Sequence, residues 1–176
     1  MALVVFLRGL NVGGHRTFRP TTLAEQLQHL GAVNIGAAGT LVIRQPVSRS
    51  QLRVELQRRL PFDAEIMICQ GRELASLMSH DFFGGHPVRS DIVRFVSVLS
   101  RLPRSELPLP MKLPSGGKWL LKLLARNGRF VLGLYRRHMK VIGYLGTLDR
   151  LFGVRVITRT WNTITAIVNL LDSSAT

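Results

Sequence analysis

The chain has few cysteines, few acidic residues and no long apolar run, and each of these features limits the classes of protein to which it can belong. With Cys69 as its one cysteine it cannot form an intrachain disulfide, which is typical of the reducing cytoplasm. No stretch approaches the roughly 18 uncharged apolar residues that a membrane helix needs. The apolar run Trp119–Ala125 is interrupted by Lys122. We therefore expect a cytoplasmic protein that does not enter a membrane.

The scarcity of acids leaves a large positive charge. Ten Asp and Glu stand against 24 Lys and Arg, for a formal net charge of +14, and the sequence pI is about 11.6. This excess predicts an anionic partner such as nucleic acid, anionic lipid or a phosphorylated ligand. The alternative is an arginine-rich composition that has no functional meaning. The acids form no catalytic pair and the five histidines have no metal-binding spacing, so we expect no metal and no cofactor.

The first half of the chain has the pattern of a split βαβ unit. Ala2–Leu7 is apolar throughout, as in a central strand that is covered on both faces. Two leucine stripes predict helices, Leu23, Leu27 and Leu30 in the first, and Leu52, Leu56 and Leu60 in the second. Ser48 or Ser50 is the expected cap of the second helix. Short β runs complete the order at Val33–Ile35, Leu41–Ile43 and Glu65–Cys69.

The second half repeats this order with a loop in place of the first helix. Its predicted strands are Ile92–Leu99, a hairpin of Trp119–Leu124 and Phe130–Tyr135, and Val154–Ile157. Residues 101–117 contain four prolines and are expected to be an extended loop. Helices are predicted at Tyr144–Phe152 and from Trp161 onward. We predict an α+β fold of two ferredoxin-like (βαββαβ-type) halves with mainly antiparallel sheets and an extra C-terminal helix. The domains are residues 1–80, a connector at 81–90, and residues 91–176.

A glycine-rich segment follows the first strand. Three glycines in six residues allow positive φ and a close approach of backbone to a ligand. The predicted ligand-binding residues here are Arg8, Gly9, Asn11, Gly13, Gly14 and Arg16. The spacing of Gly9 and Gly14 is that of a phosphate loop, but His15 and Arg16 replace the required Lys and Ser/Thr, which argues against a nucleoside triphosphatase. The alternative is a tight strand-to-helix turn.

A second segment, Thr158–Thr163, also leads from a strand into a helix. Its predicted ligand-binding residues are Arg159, Trp161 and Asn162. We expect Arg8, Asn11, Arg159 and Asn162 to line one cleft between the halves, because ligands bind beyond the carboxyl ends of strands in such units. The alternative is that Trp161 and Asn162 only anchor the last helix.

Arginines also mark two further surfaces. One follows the second predicted helix, with Arg49, Arg53, Arg58 and Arg59, and the other surrounds the later hairpin, with Arg129, Arg136, Arg137 and Lys140. Phe130 and Tyr135 lie among the latter, and strands that display cations and aromatic rings together are typical of sheet-based RNA binders.

The glycine-rich segment LRGLNVGG and the helix start TRTWNT together resemble an uncharacterised bacterial family, domain of unknown function 1697. Its members open with a strand leading into an LRG-(I/L)-NVGG loop and close with a T-R-N-W-N-T-like helix start. This chain departs from the family at four places. His15, Arg16 and Arg19 replace a lysine, Ala37–Ile43 replaces Q-S-G-N-V-V-F, Met139 replaces a serine before the retained Lys140, and Thr160 replaces an asparagine. The resemblance implies an α+β fold of ferredoxin-like halves and brings no established activity.

These patterns predict an anion-directed binding protein with nucleic acid as the expected partner. The alternative is a small-molecule enzyme or ligand-binding protein that holds a phosphorylated metabolite at the glycine-rich loop. The sequence leaves open whether the protein is an enzyme and in which oligomeric state it exists.

Overall fold

A computed structural model describes residues 2–9 and 18–174 of the chain. Its strands are β1 Leu3–Arg8, β2 Ala32–Ile35, β3 Thr40–Ile43, β4 Glu65–Gln70, β5 Ile92–Leu99, β6 Met111–Leu113, β7 Leu121–Asn127, β8 Phe130–Arg136 and β9 Val156–Thr160. Its helices are α1 Pro20–Gln26, α2 Arg49–Arg59, α3 Gly71–Leu77, α4 Val141–Gly146, α5 Leu148–Phe152 and α6 Trp161–Ser173. Within the described part of the chain, no helix combines the length and apolar character that crossing a membrane requires.

The described residues form two compact units. One contains the chain up to Ser76 together with the segment from Thr165 onward, and the other contains Leu77–Ile164. The boundary between the units therefore falls within α6. The expected domains, residues 1–80 and 91–176 with a connector at 81–90, stay a prediction.

The first unit contains a four-stranded antiparallel sheet in the order β2-β3-β1-β4. As its apolar sequence predicts, β1 lies inside the sheet, and Val4 pairs with Val42 on one side and Cys69 on the other. Residues 3–7 are all buried, so both faces of β1 are covered. The predicted leucine stripes supply the core, where buried Leu23 and Leu27 of the first helical segment join buried Leu52 and Leu56 of α2.

The second unit contains a five-stranded antiparallel sheet in the order β6-β7-β8-β5-β9. Four of these strands, β7-β8-β5-β9, have the ferredoxin-like order, and β6 extends the edge. The proline-rich segment 101–117, expected to be a loop, contains β6 because Met111 and Leu113 pair with Leu123 and Leu121 of β7. The single helix predicted at Tyr144–Phe152 is divided into α4 and α5.

The predicted fold class is confirmed. Both units have antiparallel sheets with the strand order of a ferredoxin-like half, and α6 is the additional C-terminal helix.

Candidate functional site

A pocket of about 250 Å³ lies at one end of the sheet in the second unit. Its lining comes from the loop at residues 87–89, the first residues of β5, the end of β8 and the junction of β9 with α6. Strand pairing brings these segments together, because the start of β5 lies opposite the end of β8 and Phe95 lies opposite Thr160. The sheet therefore fixes the walls that come from β5, β8 and the β9–α6 junction, and the loop at residues 87–89 completes the lining.

Three arginines from different segments line this pocket, which we call the arginine pocket. Nη2 of Arg94 donates to the His86 carbonyl at 2.7 Å, and Nε of Arg137 donates to the Ser90 carbonyl at 2.9 Å. Arg89 forms a two-point contact with Asp91, at 2.9 Å from Nε and 3.2 Å from Nη2. A guanidinium carries five N–H donors, so each arginine is held in place while other donors are left for a ligand.

The indole of Trp161 forms a second wall of the arginine pocket. It packs edge-to-face against buried Phe83 with ring centres 5.1 Å apart. Tyr135 also reaches the lining, but its ring packs against Phe95 in the core of the second unit, with ring centres 5.7 Å apart. The Arg94 guanidinium lies over the same Phe83 ring at 5.1 Å. Phe83 therefore positions both a cation and an indole at the pocket.

The described lining of the pocket contains no carboxylate and no imidazole. Asp91, which pairs with Arg89, is the nearby acid. Its hydrogen bond from Arg89, together with the charges of Arg89 and Arg136, holds the pKa of Asp91 below the usual 3.8, against the opposing effect of burial. The surroundings of Asp91 are thus strongly cationic, and the arrangement is suited to holding an anion.

The cationic surface continues from the pocket onto the β7–β8 hairpin. Oδ2 of Asp91 lies 3.8 Å from Nη1 of Arg136, and the Arg136 guanidinium lies over the Trp119 ring at 4.1 Å. Nζ of Lys122 lies 4.9 Å from the centre of the same ring, and Lys122 is directly opposite Lys112 on β6. Burial, and then the charges of Lys112 and Arg136, lower the pKa of Lys122.

We call the six cations along this surface the basic track: Arg94, Arg137, Arg89, Arg136, Lys122 and Lys112. Like charges placed directly opposite on neighbouring strands are destabilising. The chain nevertheless places Lys112 against Lys122, and all of its lysines fall between Lys112 and Lys140. A bound anion would relieve this repulsion.

The structure brings together only part of the second predicted segment. Trp161 and Asn162 line the arginine pocket. The described lining does not include Arg159, whose Nη1 donates to the Thr158 carbonyl at 3.0 Å. Burial lowers the pKa of Arg159 to about 10, so the side chain keeps its charge at neutral pH. Thr160 accepts from the Thr163 amide at 3.4 Å and caps α6.

Most of the glycine-rich segment lies outside the described residues, namely Asn11, Gly13, Gly14 and Arg16. Arg8 ends β1 opposite Glu65, and Gly9 has a φ of 93°, the positive value that its sequence context predicts. The ligand-binding role of this segment and the cleft that it was expected to share with Arg159 and Asn162 stay predictions.

The arginines of α2 are largely engaged by the first unit itself. Nη2 of Arg49 lies 3.6 Å from Glu73, Arg53 donates to the Ile66 carbonyl at 3.2 Å, and Arg59 pairs with Glu55 one turn before it. Three of the four arginines of this surface therefore have a partner within the unit, in contrast to the facing lysines of the basic track. No group of three or more His, Cys, Asp or Glu side chains in the described ranges is arranged to hold a metal ion.

Sequence reasoning did not select Arg89 and Arg94 as site residues. They lie more than 60 residues before Trp161 and reach the same pocket only through the pairing of β5 with β8 and β9. The available signal was the start of β5, where Arg94 alternates with the buried residues Val93 and Phe95.

Comparison with known proteins gives a family and a fold. The family described as "protein of unknown function (DUF1697)" matches residues 1–107, a range that includes the glycine-rich segment and ends before the second motif. No curated protein matches the chain. The structure of conserved bacterial protein SP0830 from Streptococcus pneumoniae is similar with a TM-score of 0.60 and 14% identity, over 97% of this chain and 98% of that one. At this identity the likeness shows the fold alone. Since the family match covers more than half of the sequence, the chain belongs to the DUF1697 family, as its two motifs predict.

Proposed function

We propose that this protein binds nucleic acid through the basic track of its second unit. The observation that carries the proposal is the continuity of the cations. Contacts lead from Arg89 in the arginine pocket through Asp91 to Arg136, Trp119 and Lys122. A small anion would occupy one position along this surface, whereas a chain of phosphates can neutralise several cations at once.

Aromatic rings occur at two places along the basic track. Trp119 lies beside Lys122 and Arg136, and Trp161 lies at the arginine pocket. Proteins that bind single-stranded nucleic acid combine cations along the backbone with aromatic surfaces for the bases. The proposal therefore favours single strands, and it is compatible with the cytoplasmic location expected from the cysteine content.

The test is a fluorescence-anisotropy titration of labelled single-stranded RNA and DNA oligonucleotides at low salt. We expect the wild type to bind, and Arg137→Gln and Lys122→Gln each to weaken binding by about three- to tenfold, since hydrogen bonds to charged groups contribute about 1.5–3 kcal/mol when fully formed and partly exposed ones contribute less. Arg72→Gln is the matched control, because Arg72 is exposed in the first unit.

Two results would contradict the proposal. The first is no association of either oligonucleotide at low salt. The second is equal weakening by the control and the two track variants, which would mean that net charge alone drives binding.

A second candidate function is the binding of a phosphorylated small molecule. The concave shape of the arginine pocket, and its volume of about 250 Å³, favour a compact ligand. The sequence instead places such a ligand at the glycine-rich loop, and that placement stays a prediction.

A further inference from the structure

We infer that the arginine pocket recognises a phosphomonoester, the dianionic phosphate found at the end of a nucleic-acid strand or on a phosphorylated small molecule. This inference rests on the proposed function only where the phosphate is carried by a nucleic acid. In this inference the arginine pocket binds the terminal phosphate. The rest of the basic track binds the singly charged phosphates within the strand.

The charge around the pocket matches a dianion. Three guanidinium groups line it, and the carboxylate of Asp91 balances one of them through its two-point contact with Arg89. Two positive charges remain, on Arg94 and Arg137. A phosphomonoester carries a charge of about −1.5 to −2 at pH 7, whereas a phosphodiester carries a single negative charge. The monoester is therefore the better match.

The arginines are also oriented before a ligand arrives. Arg94 is fixed at the His86 carbonyl and over the Phe83 ring, and Arg137 is fixed at the Ser90 carbonyl. The planar fork of donors on a guanidinium fits two oxygens of one phosphate, and a terminal phosphate offers three such oxygens. Little side-chain freedom is lost when such pre-positioned groups bind.

The size of the pocket indicates what accompanies the phosphate. At about 30 Å³ per water molecule, its volume of about 250 Å³ is the space of roughly eight waters. This exceeds the need of a bare phosphate and leaves room for part of the group esterified to it. Trp161 offers apolar contact to that group, and Asn162 offers an amide.

The experiment compares oligonucleotides of one sequence that end in a 5′-phosphate, a 3′-phosphate or hydroxyl groups only. We expect one phosphorylated form to bind about tenfold more tightly than the hydroxyl form, the size of effect that one or two charge-assisted hydrogen bonds give. Arg94→Lys keeps the positive charge but loses the planar pair of guanidinium donors. It should therefore remove the preference for the phosphorylated end. Lys122→Gln should weaken all three oligonucleotides by the same factor and keep the preference.

The pH dependence separates recognition of a phosphomonoester from recognition of a phosphodiester. The second pKa of the monoester is about 6, so the preference for the phosphorylated end should shrink as the pH falls from 7.5 to 5. The hydroxyl oligonucleotide is measured at each pH as the reference, so that a change in the charge of the protein cancels from the ratio of the two affinities.

Parallel thermal-shift measurements with a nucleoside 5′-monophosphate and the matching nucleoside distinguish the sources of the phosphate. If the monophosphate stabilises the protein and no oligonucleotide binds, the inference holds with a small molecule as ligand and the proposed function fails. If all oligonucleotides bind equally and the monophosphate acts no better than the nucleoside, the inference is overturned and the proposed function stands.

Discussion

Asp91 is the residue that limits the positive potential of the basic track. Its carboxylate lies between the guanidinium groups of Arg89 and Arg136. Because its pKa in the folded protein is below the usual 3.8, the stability from these contacts is present above that value and is lost as the pH falls through the folded pKa. At neutral pH the carboxylate is ionised and repels an incoming polyanion.

Removal of this carboxylate should therefore improve binding. We predict that Asp91→Asn raises the affinity for a single-stranded oligonucleotide by about two- to fivefold, the range expected for one exposed charge pair. The measurement is the anisotropy titration at constant low salt. Asp172→Asn is the control, since it removes the same charge from an exposed position in α6. An unchanged or lower affinity for Asp91→Asn would show that Asp91 orients Arg89 for the ligand.

Lys122 gives a second prediction at this scale. Burial, Lys112 and Arg136 lower its pKa from 10.5, so its amine becomes nucleophilic at a lower pH than that of a solvated lysine. We predict that the acylation rate of Lys122, followed by mass spectrometry from pH 7 to 11, has its midpoint below 10.5. Lys112→Gln should raise this midpoint, because one of the neighbouring cations is removed. A bound oligonucleotide should also raise it and slow the reaction. If neither Lys112→Gln nor a bound oligonucleotide shifts the midpoint, the proposed arrangement of charges around Lys122 is wrong.

The residues of the site were only partly accessible from the sequence. Trp161 and Asn162 could be selected because a strand leading into a helix with polar residues is a local pattern. Alternation with buried residues marks Arg94 as lying off the core face, but only the register of β5 against β9 brings Arg94 and the loop that carries Arg89 to Trp161. Such a register depends on contacts between distant segments, which no local pattern encodes.

At Gly133 in β8 the sheet has no room for a side chain. A Cβ here would lie 2.5 Å from the Lys122 carbonyl oxygen and 2.5 Å from the ring of Phe95. Both neighbours belong to the sheet that builds the arginine pocket, since Lys122 is in β7 and Phe95 is in β5. The ring of Phe95 thus occupies the space that a side chain on β8 would need.

We predict that Gly133→Ala lowers the free energy of unfolding by about 1–3 kcal/mol, the usual cost of overpacking. Gly143→Ala is the matched control, because a Cβ at this position in α4 meets nothing within 4 Å. It should raise the free energy by about 0.4–1 kcal/mol through the reduced entropy of the unfolded chain. Urea unfolding followed by circular dichroism measures both. If Gly133→Ala leaves the free energy of unfolding unchanged, the Phe95 ring does not pack against β8 as described.

Elements with a strong local pattern were predictable. The stripe of α2 and its cap were anticipated, and the structure selects Ser48 over Ser50: the Gln51 amide donates to Ser48 Oγ at 3.1 Å. The division of Tyr144–Phe152 was not anticipated, because it depends on Thr147, whose hydroxyl bonds the Tyr144 carbonyl at 2.6 Å. The local apolar pattern continues across that break and gives no sign of it.

For the whole molecule, the order of elements was sufficient to predict the fold class. An apolar β1 and the βαββαβ order leave few antiparallel arrangements, and both sheets have the expected strand order. Charge was equally visible in the sequence, since a net charge of +14 is a matter of composition. The clustering of positive charge along β6–β8 and the start of β5 could be predicted only in part. Lys112 and Lys122 become neighbours through β6, a strand that the sequence did not predict.

The central claim is that the cations of the basic track neutralise the phosphates of one nucleic-acid strand. The most direct measurement is the affinity for a single-stranded oligonucleotide as a function of salt concentration. With about five of the six track cations in contact, the plot of log Kobs against log salt should be linear with a slope of about −3 to −4, and Lys122→Gln should make it less steep by about 0.7. A slope near zero, or a slope that Lys122→Gln and Arg72→Gln change alike, would contradict the account.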